Sequence, residues 1–220
     1  MSQGPKREQG WEGRRGALDG ARVAFVVANG GAERRELVEP WRAVVAAAGI
    51  PLLVAPEADD VLLLDHLDSR TCWKADLTTD ELQVEDIDAL VLCGGLAGAD
   101  RLRADGPAVE LLRDAFDGGR PVAAMSDAPW ALVEADVLED RTLTSSASLR
   151  TELENAGAEW ADEPVHACRH GPNTLVTSRG QDDLEAFCDA FVRVVSAAQR
   201  QAGLRPGGGV RVRADPGGRQ

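Results

Sequence analysis

No apolar stretch in these 220 residues approaches the roughly 20 needed to cross a bilayer as a helix. Met1–Gly20 carries charge but no apolar core segment, so neither a secretory signal nor a membrane partner is expected. The cytoplasm is the expected compartment. The four cysteines, Cys72, Cys93, Cys168 and Cys188, lie far apart, which excludes zinc-ribbon and CxxC redox patterns. Histidine is equally sparse, at His66, His166 and His170, and the nearness of Cys168 to His170 supplies only two ligands. No metal and no cofactor are expected, and the thiols read as small reduced core residues. Lysine occurs only at Lys6 and Lys74, a bias that carries no functional reading.

What is present is an acidic globular composition. Hydrophobic residues make up 44% and charged ones 28%, enough apolar side chain for one sizeable core. The net charge is −13, but residues 1–20 carry +1 and residues 201–220 carry +3, which leaves −17 for the middle. A body this acidic repels a phosphate backbone, so no nucleic-acid partner is expected. Residues 1–19 and 201–220 are polar, rich in glycine and expected to be disordered tails around one domain at 20–200.

Within that domain, apolar runs alternate with helical spacing. Strands are expected at Arg22–Ala28, Pro51–Ala55, Ile87–Leu92 and Pro121–Met125, with a strand pair at Val165–Ala167 and Thr174–Thr177. Helices are expected over Glu36–Ala48, through Val109 to Phe116, over Pro129–Glu134 and Leu149–Ala156, and over Asp182–Ala198. Apolar strands without alternation, separated by helices, mean a parallel sheet covered on both faces. The expected fold is α/β: a single doubly wound, mostly parallel sheet sandwiched by helices.

Ligands of such sheets bind beyond the carboxyl ends of the strands. The stretch Ala124–Ala128 reads small-x-Ser-x-small at a strand-to-helix junction, the pattern of a nucleophile elbow with alanines in place of glycines. Two readings stand at Ser126 and Asp127: catalysis, or a cap on the helix that Pro129 helps to start. Gly94 and Gly95 read either as a tight turn or as an oxyanion loop, with the N–H groups of Gly95 and Asp127 as donors. Glu33 and Glu36 precede a helix, where a carboxylate complements the dipole.

Several separated stretches carry a resemblance. They are residues 32–40 (AERRELVEP), 87–92 with Gly94-Gly95, 121–124 (PVAA), 155–160 (NAGAEW), and 175–180 (LVTSRG) with 182–184. Together they resemble the PfpI branch of the DJ-one/PfpI superfamily, related to class I glutamine amidotransferases, from about Gly20 to Val195. The resemblance implies a flavodoxin-like fold and a homo-oligomer, at least a dimer, acting on a small molecule or peptide. It also implies a reactive cysteine at the elbow followed by histidine and glycine. Here those positions hold Ser126, Asp127 and Ala128. The family's acidic partner is matched by Glu33, the proline before the Gly-Gly turn by Cys93, and an acid lent by a neighbouring subunit by Asp100.

A serine hydroxyl needs a general base within hydrogen-bond reach, and the imidazole has become a carboxylate. Only His166 or His170, folded back, would replace it, and Cys93 is expected to be inert. The expectation is therefore a catalytically degenerate protein kept for ligand binding or stress-linked interaction. The alternative is a variant hydrolase, amidase or glyoxalase/deglycase-type enzyme using Ser126 with Glu33 and Asp127. Two carboxylates are too thin a ligand set for a divalent cation.

Overall fold

In β1 (Arg22–Val26), Val23 and Phe25 face one side and Ala24 and Val26 the other, and all four are fully buried. A strand apolar on both faces needs a layer of helices on each. The structure, a computed structural model, describes residues 16–65 and 69–203. After β1 come β2 (Gly30–Glu33), α1 (Arg34–Ala46), β3 (Ile50–Ala55), β4 (Asp60–Asp65), β5 (Ser69–Lys74), β6 (Leu77–Thr78) and β7 (Ala89–Leu92). The second half adds α2 (Leu96–Arg103), α3 (Gly106–Asp117), β8 (Val122–Met125), α4 (Pro129–Glu134), β9 (Thr142–Leu143) and α5 (Arg150–Asn155). It ends with β10 (Glu159–Trp160), β11 (Val165–Cys168), β12 (Leu175–Ser178) and α6 (Leu184–Gln201).

Seven strands form the central sheet in the order β11-β12-β8-β7-β1-β3-β6, parallel except for β11 against β12. This is the expected doubly wound arrangement. Leu37 and Val44 of α1 and Phe187 and Phe191 of α6 pack on Val23, Phe25, Val91 and Met125. On the other face, Leu112 and Phe116 of α3 and Leu132 of α4 pack on Ala24, Val26, Leu90 and Leu92. Each large side chain so buried contributes about 1.5–3 kcal/mol. From β1 the chain goes to β3 on one side and later to β7 on the other. The crevice where strand order reverses therefore opens at the carboxyl ends of β1 and β7.

Four parts of the fold lie outside the expected elements, the first being β6 at the edge of the central sheet. β2, β4 and β5 form a separate three-stranded sheet, and β9 pairs with β10 in a short parallel ladder. The helix α2 lies outside the expected helices, because Gly98 lowers helix propensity within it. Its glycine is required by packing: a Cβ there would stand 3.0 Å from the Gly31 carbonyl oxygen, so α2 sits directly on the β2 backbone.

The assigned boundary at residue 19 needs correction. Leu18 is fully buried in the core beneath α1, and its N–H donates to the Ala47 carbonyl at 2.9 Å. Residues 1–15 and 204–220 of the two expected tails lie outside the described residues, as does His66. Among the described residues, no helix is long and apolar enough to cross a membrane.

Candidate active site

β8 ends at Met125, and the chain turns at once through Ser126, whose φ of 57° lies in the left-handed region. A non-glycine residue rarely adopts that conformation unless its surroundings impose it. Three backbone hydrogen bonds do so here. Ser126 N–H donates to the Ser178 carbonyl at 3.0 Å, Ala128 N–H to Met125 at 2.9 Å, and Ser146 N–H to the Ser126 carbonyl at 2.9 Å. The helix cap reading fails. α4 starts from Ala128, which has no side chain able to cap, and Asp127 Oδ1 instead accepts from Ser146 Oγ at 2.6 Å.

The Gly94–Gly95 loop meets this turn. A Cβ on Gly94 would strike the Glu36 carboxyl group and stand 2.8 Å from both the Met125 carbonyl oxygen and Ser126 Cβ. The same small space is thus bordered by the elbow on one side and Glu36 on the other. Gly94 also accepts from Glu33 N–H at 3.2 Å, which ties the loop to β2. Neither the Gly95 N–H nor the Asp127 N–H donates a hydrogen bond within the described residues. The Asp127 N–H belongs to the elbow turn, and Gly95 follows the Gly94 that meets it.

Glu33 and Glu36 have different surroundings. Glu33 immediately precedes α1, and its Oε2 accepts from Gln181 Nε2 at 3.4 Å. Glu36 lies in the first turn of α1 and is only 2% exposed, and its Oε2 has no hydrogen-bond partner among the described residues. Burial above all, then the charges of Glu33 and Asp127, raises its pKa from 4.5 to about 8. The Gln181 side chain and Gly94 backbone oppose that rise and are outweighed. At neutral pH Glu36 is therefore mainly a neutral acid. The resemblance matches Glu33 to the acidic partner of the elbow, yet Glu36 is the carboxyl group buried against it. The signal was legible: Glu36 shares the buried stripe of α1 with Leu37, Pro40, Ala43 and Val44.

The other candidates separate cleanly. Cys93 is buried, and burial first, then Glu36 and Cys188, pushes its thiol pKa well up, so it stays protonated. Iodoacetamide near neutral pH is expected to label exposed Cys72 in the native protein and Cys93 only after denaturation; equal labelling rates would contradict this. His166 Nδ1 lies 3.1 Å from Glu163 Oε2. His170 follows Cys168, and antiparallel β11 carries it to the opposite end of the sheet from the elbow. It is not a replacement base. Asp100 pairs with Arg103 of its own helix at 2.8 Å. Among the described residues, no group of three or more His, Cys, Asp or Glu side chains is placed to hold a metal ion.

A left-handed residue between a buried strand and a helix, faced by a Gly-Gly loop and a buried glutamate, is a distinctive arrangement. The sequence pattern of the DJ-1/PfpI family matches residues 21–194. The chain belongs to the DJ-1/PfpI family. Deglycase PfpI of Pyrococcus furiosus is 40% identical over 122 residues, which cover 56% of this chain and 70% of that protein. Protein/nucleic acid deglycase 2 of Escherichia coli is 38% identical over 122 residues, covering 56% of this chain and 69% of that protein. Among solved structures, a ThiJ/PfpI domain protein from Brachyspira murdochii superposes with a TM-score of 0.70 at 20% identity. That match covers 81% of this chain and 98% of the other, and it shows the shared fold. The DJ-1/PfpI scaffold is thus intact around an elbow that holds serine and aspartate.

Proposed function

We propose that this DJ-1/PfpI-family chain is a carbonyl-processing enzyme of the deglycase type that works without a thiol nucleophile. The observation that carries the reading is Glu36, a buried acid with a pKa near 8 bordering the same space as Ser126. An acid–base group serves best when its pKa lies near the working pH. Relatives named as deglycases support the same choice of chemistry.

The substrate class is a hemiaminal, formed when an amine adds to a reactive carbonyl compound. In the proposed reaction the C–N bond breaks, Asp127 takes the hydroxyl proton, and the Glu36 proton reaches the departing nitrogen through the Ser126 hydroxyl. The products are the free amine and the free carbonyl compound, and solvent resets both carboxyl groups. Negative charge developing on the substrate oxygen is met by the Gly95 and Asp127 N–H groups. Ser126 here is a hydrogen-bonding relay, which removes the need for a base strong enough to ionise it.

The test uses the adduct of methylglyoxal with N-acetyl-lysine and follows amine release. Wild type is expected to exceed a heat-treated control. Ser126→Ala is expected to lose about ten- to a hundredfold, the range for one hydrogen bond to a charged group. Wild-type release no faster than the heat-treated control would overturn the reading.

Two observations favour a second reading, a protein that binds without turnover. Asp127 is already engaged by Ser146, and His170 stands at the far end of the sheet. A silent wild type beside an active Ser126→Cys, Asp127→His double variant is the result that supports it.

A further inference from the structure

Beyond the carboxyl ends of β1 and β3 the chain encloses a cavity of about 440 Å³, a size typical of small-molecule sites. It shares no lining residue with the elbow, Glu36 or the Gly94–Gly95 loop. Arg101 of α2 and Asp105, which precedes α3, both line it. These opposite charges are only four residues apart, yet they form no ion pair, because each is held elsewhere. Arg101 Nη1 donates to the Gly30 carbonyl at 2.9 Å, which anchors the guanidinium on β2. Asp105 Oδ2 accepts from Thr79 Oγ1 at 2.8 Å and from Ala108 N–H at 2.9 Å, which fixes the carboxylate as the cap of α3. Nε and Nη2 of Arg101 and Oδ1 of Asp105 have no hydrogen-bond partner among the described residues.

The strand ends complete the lining. Asn29 Nδ2 donates to the Glu57 carbonyl at 2.9 Å, and Asn29 Oδ1 accepts from Glu57 N–H at 3.0 Å. That pair fixes the Glu57 backbone, while the Glu57 carboxylate has no partner of its own among the described residues. Ala28, Pro56 and Leu62 add apolar surface. The charges rule out the simpler ligands. A bare anion would meet Asp105 and Glu57 in a strongly acidic body, and a bare cation would meet Arg101. A ligand that carries both charges on one small frame satisfies all three groups.

We propose that this cavity binds a free α-amino acid with an aliphatic side chain, its carboxylate on Arg101 and its ammonium group on Asp105 and Glu57. Because Nη1 is taken by Gly30, the guanidinium offers its Nε–Nη2 edge, a fork that matches the two oxygens of a carboxylate. The ammonium group donates to Asp105 Oδ1 and to the Glu57 carboxylate. The aliphatic side chain covers Pro56 and Leu62. This site is independent of the proposed deglycase chemistry and of whether the elbow turns over.

The test is calorimetric titration of the full chain with leucine, with isocaproate, which lacks the amino group, and with isoamylamine, which lacks the carboxylate. Leucine is expected to bind saturably, and each single-charge analogue at least about tenfold more weakly, the usual worth of a charged hydrogen bond. Asp105→Asn keeps a capping oxygen, so the fold is retained. It is expected to weaken leucine about tenfold while isocaproate binds at least as well as to wild type. Arg101→Gln is expected to weaken leucine and isocaproate about tenfold and to spare isoamylamine. The absence of saturable leucine binding would overturn the proposal, as would leucine binding no tighter than either analogue. Equal losses for leucine and isocaproate in Asp105→Asn would do the same. The comparison of the three ligands on wild type stands whatever the stability of the variants.

Discussion

Replacing Glu36 by glutamine is expected to make the protein more stable in mild alkali and, at the same time, a much poorer catalyst. The folded pKa of Glu36 lies near 8 against 4.5 when unperturbed. A raised folded pKa means that the stability linked to Glu36 is fully present below about pH 4.5 and is lost as pH rises through about 8. Glutamine keeps the neutral form at every pH. The upper bound on the gain above pH 8 is about 5 kcal/mol, from 1.36 kcal/mol per pKa unit over the interval. Denaturant titrations at about pH 5 and about pH 9 check this: the two proteins should be close at the lower pH and diverge at the higher. Turnover of the hemiaminal should fall by about 10²–10⁴-fold, the usual worth of a positioned acid. Parallel stability curves across that range would mean that Glu36 ionises as an exposed carboxyl does.

Gly95→Ala is expected to damage fold and site together. Gly95 sits at φ +105°, and a Cβ there would collide with the Gly31 carbonyl oxygen and stand 3.1 Å from Glu33 N. Both neighbours are backbone of β2, so no side chain can rotate away. Overpacking of about 1–3 kcal/mol adds to backbone strain of about 1–3 kcal/mol, for a total of about 2–6 kcal/mol. In a domain of this size that lowers the melting temperature by about 5–20 °C. Because β2 leads straight into α1, a shift that relieves the collision moves Glu36 relative to the elbow. A melting temperature within about 2 °C of wild type would show that β2 yields without cost.

The sheet was legible because its strands are short apolar runs bounded by glycine, proline or charge. Residues 23–26 and Val122–Met125 can be apolar throughout only when helices cover both faces. The hairpin of β4 and β5 was not legible. Asp60–Asp65 reads DVLLLD, with neither alternation nor helical period, and it gains its meaning by pairing with β2, a strand of two glycines, alanine and glutamate. Leu18 was hidden because one apolar anchor in a polar, glycine-rich stretch gives no periodic signal.

The site was half legible. Serine between small residues at a strand end announced the elbow, and Gly94–Gly95 announced the loop that faces it. The choice between Glu33 and Glu36 needed periodicity: only Glu36 falls on the buried stripe of α1. The bond from Ser146 to Asp127 joins residues 19 apart through a turn that composition does not foreshadow.

The most direct measurement is the pH profile of kcat/KM for cleavage of the methylglyoxal–N-acetyl-lysine adduct, wild type against Glu36→Gln. The expected wild-type profile falls on the alkaline side with an apparent pKa near 8, as Glu36 loses the proton it must deliver, and Glu36→Gln lacks that limb. A wild-type profile without an inflection near 8, or the same limb persisting in Glu36→Gln, would contradict the role given to Glu36.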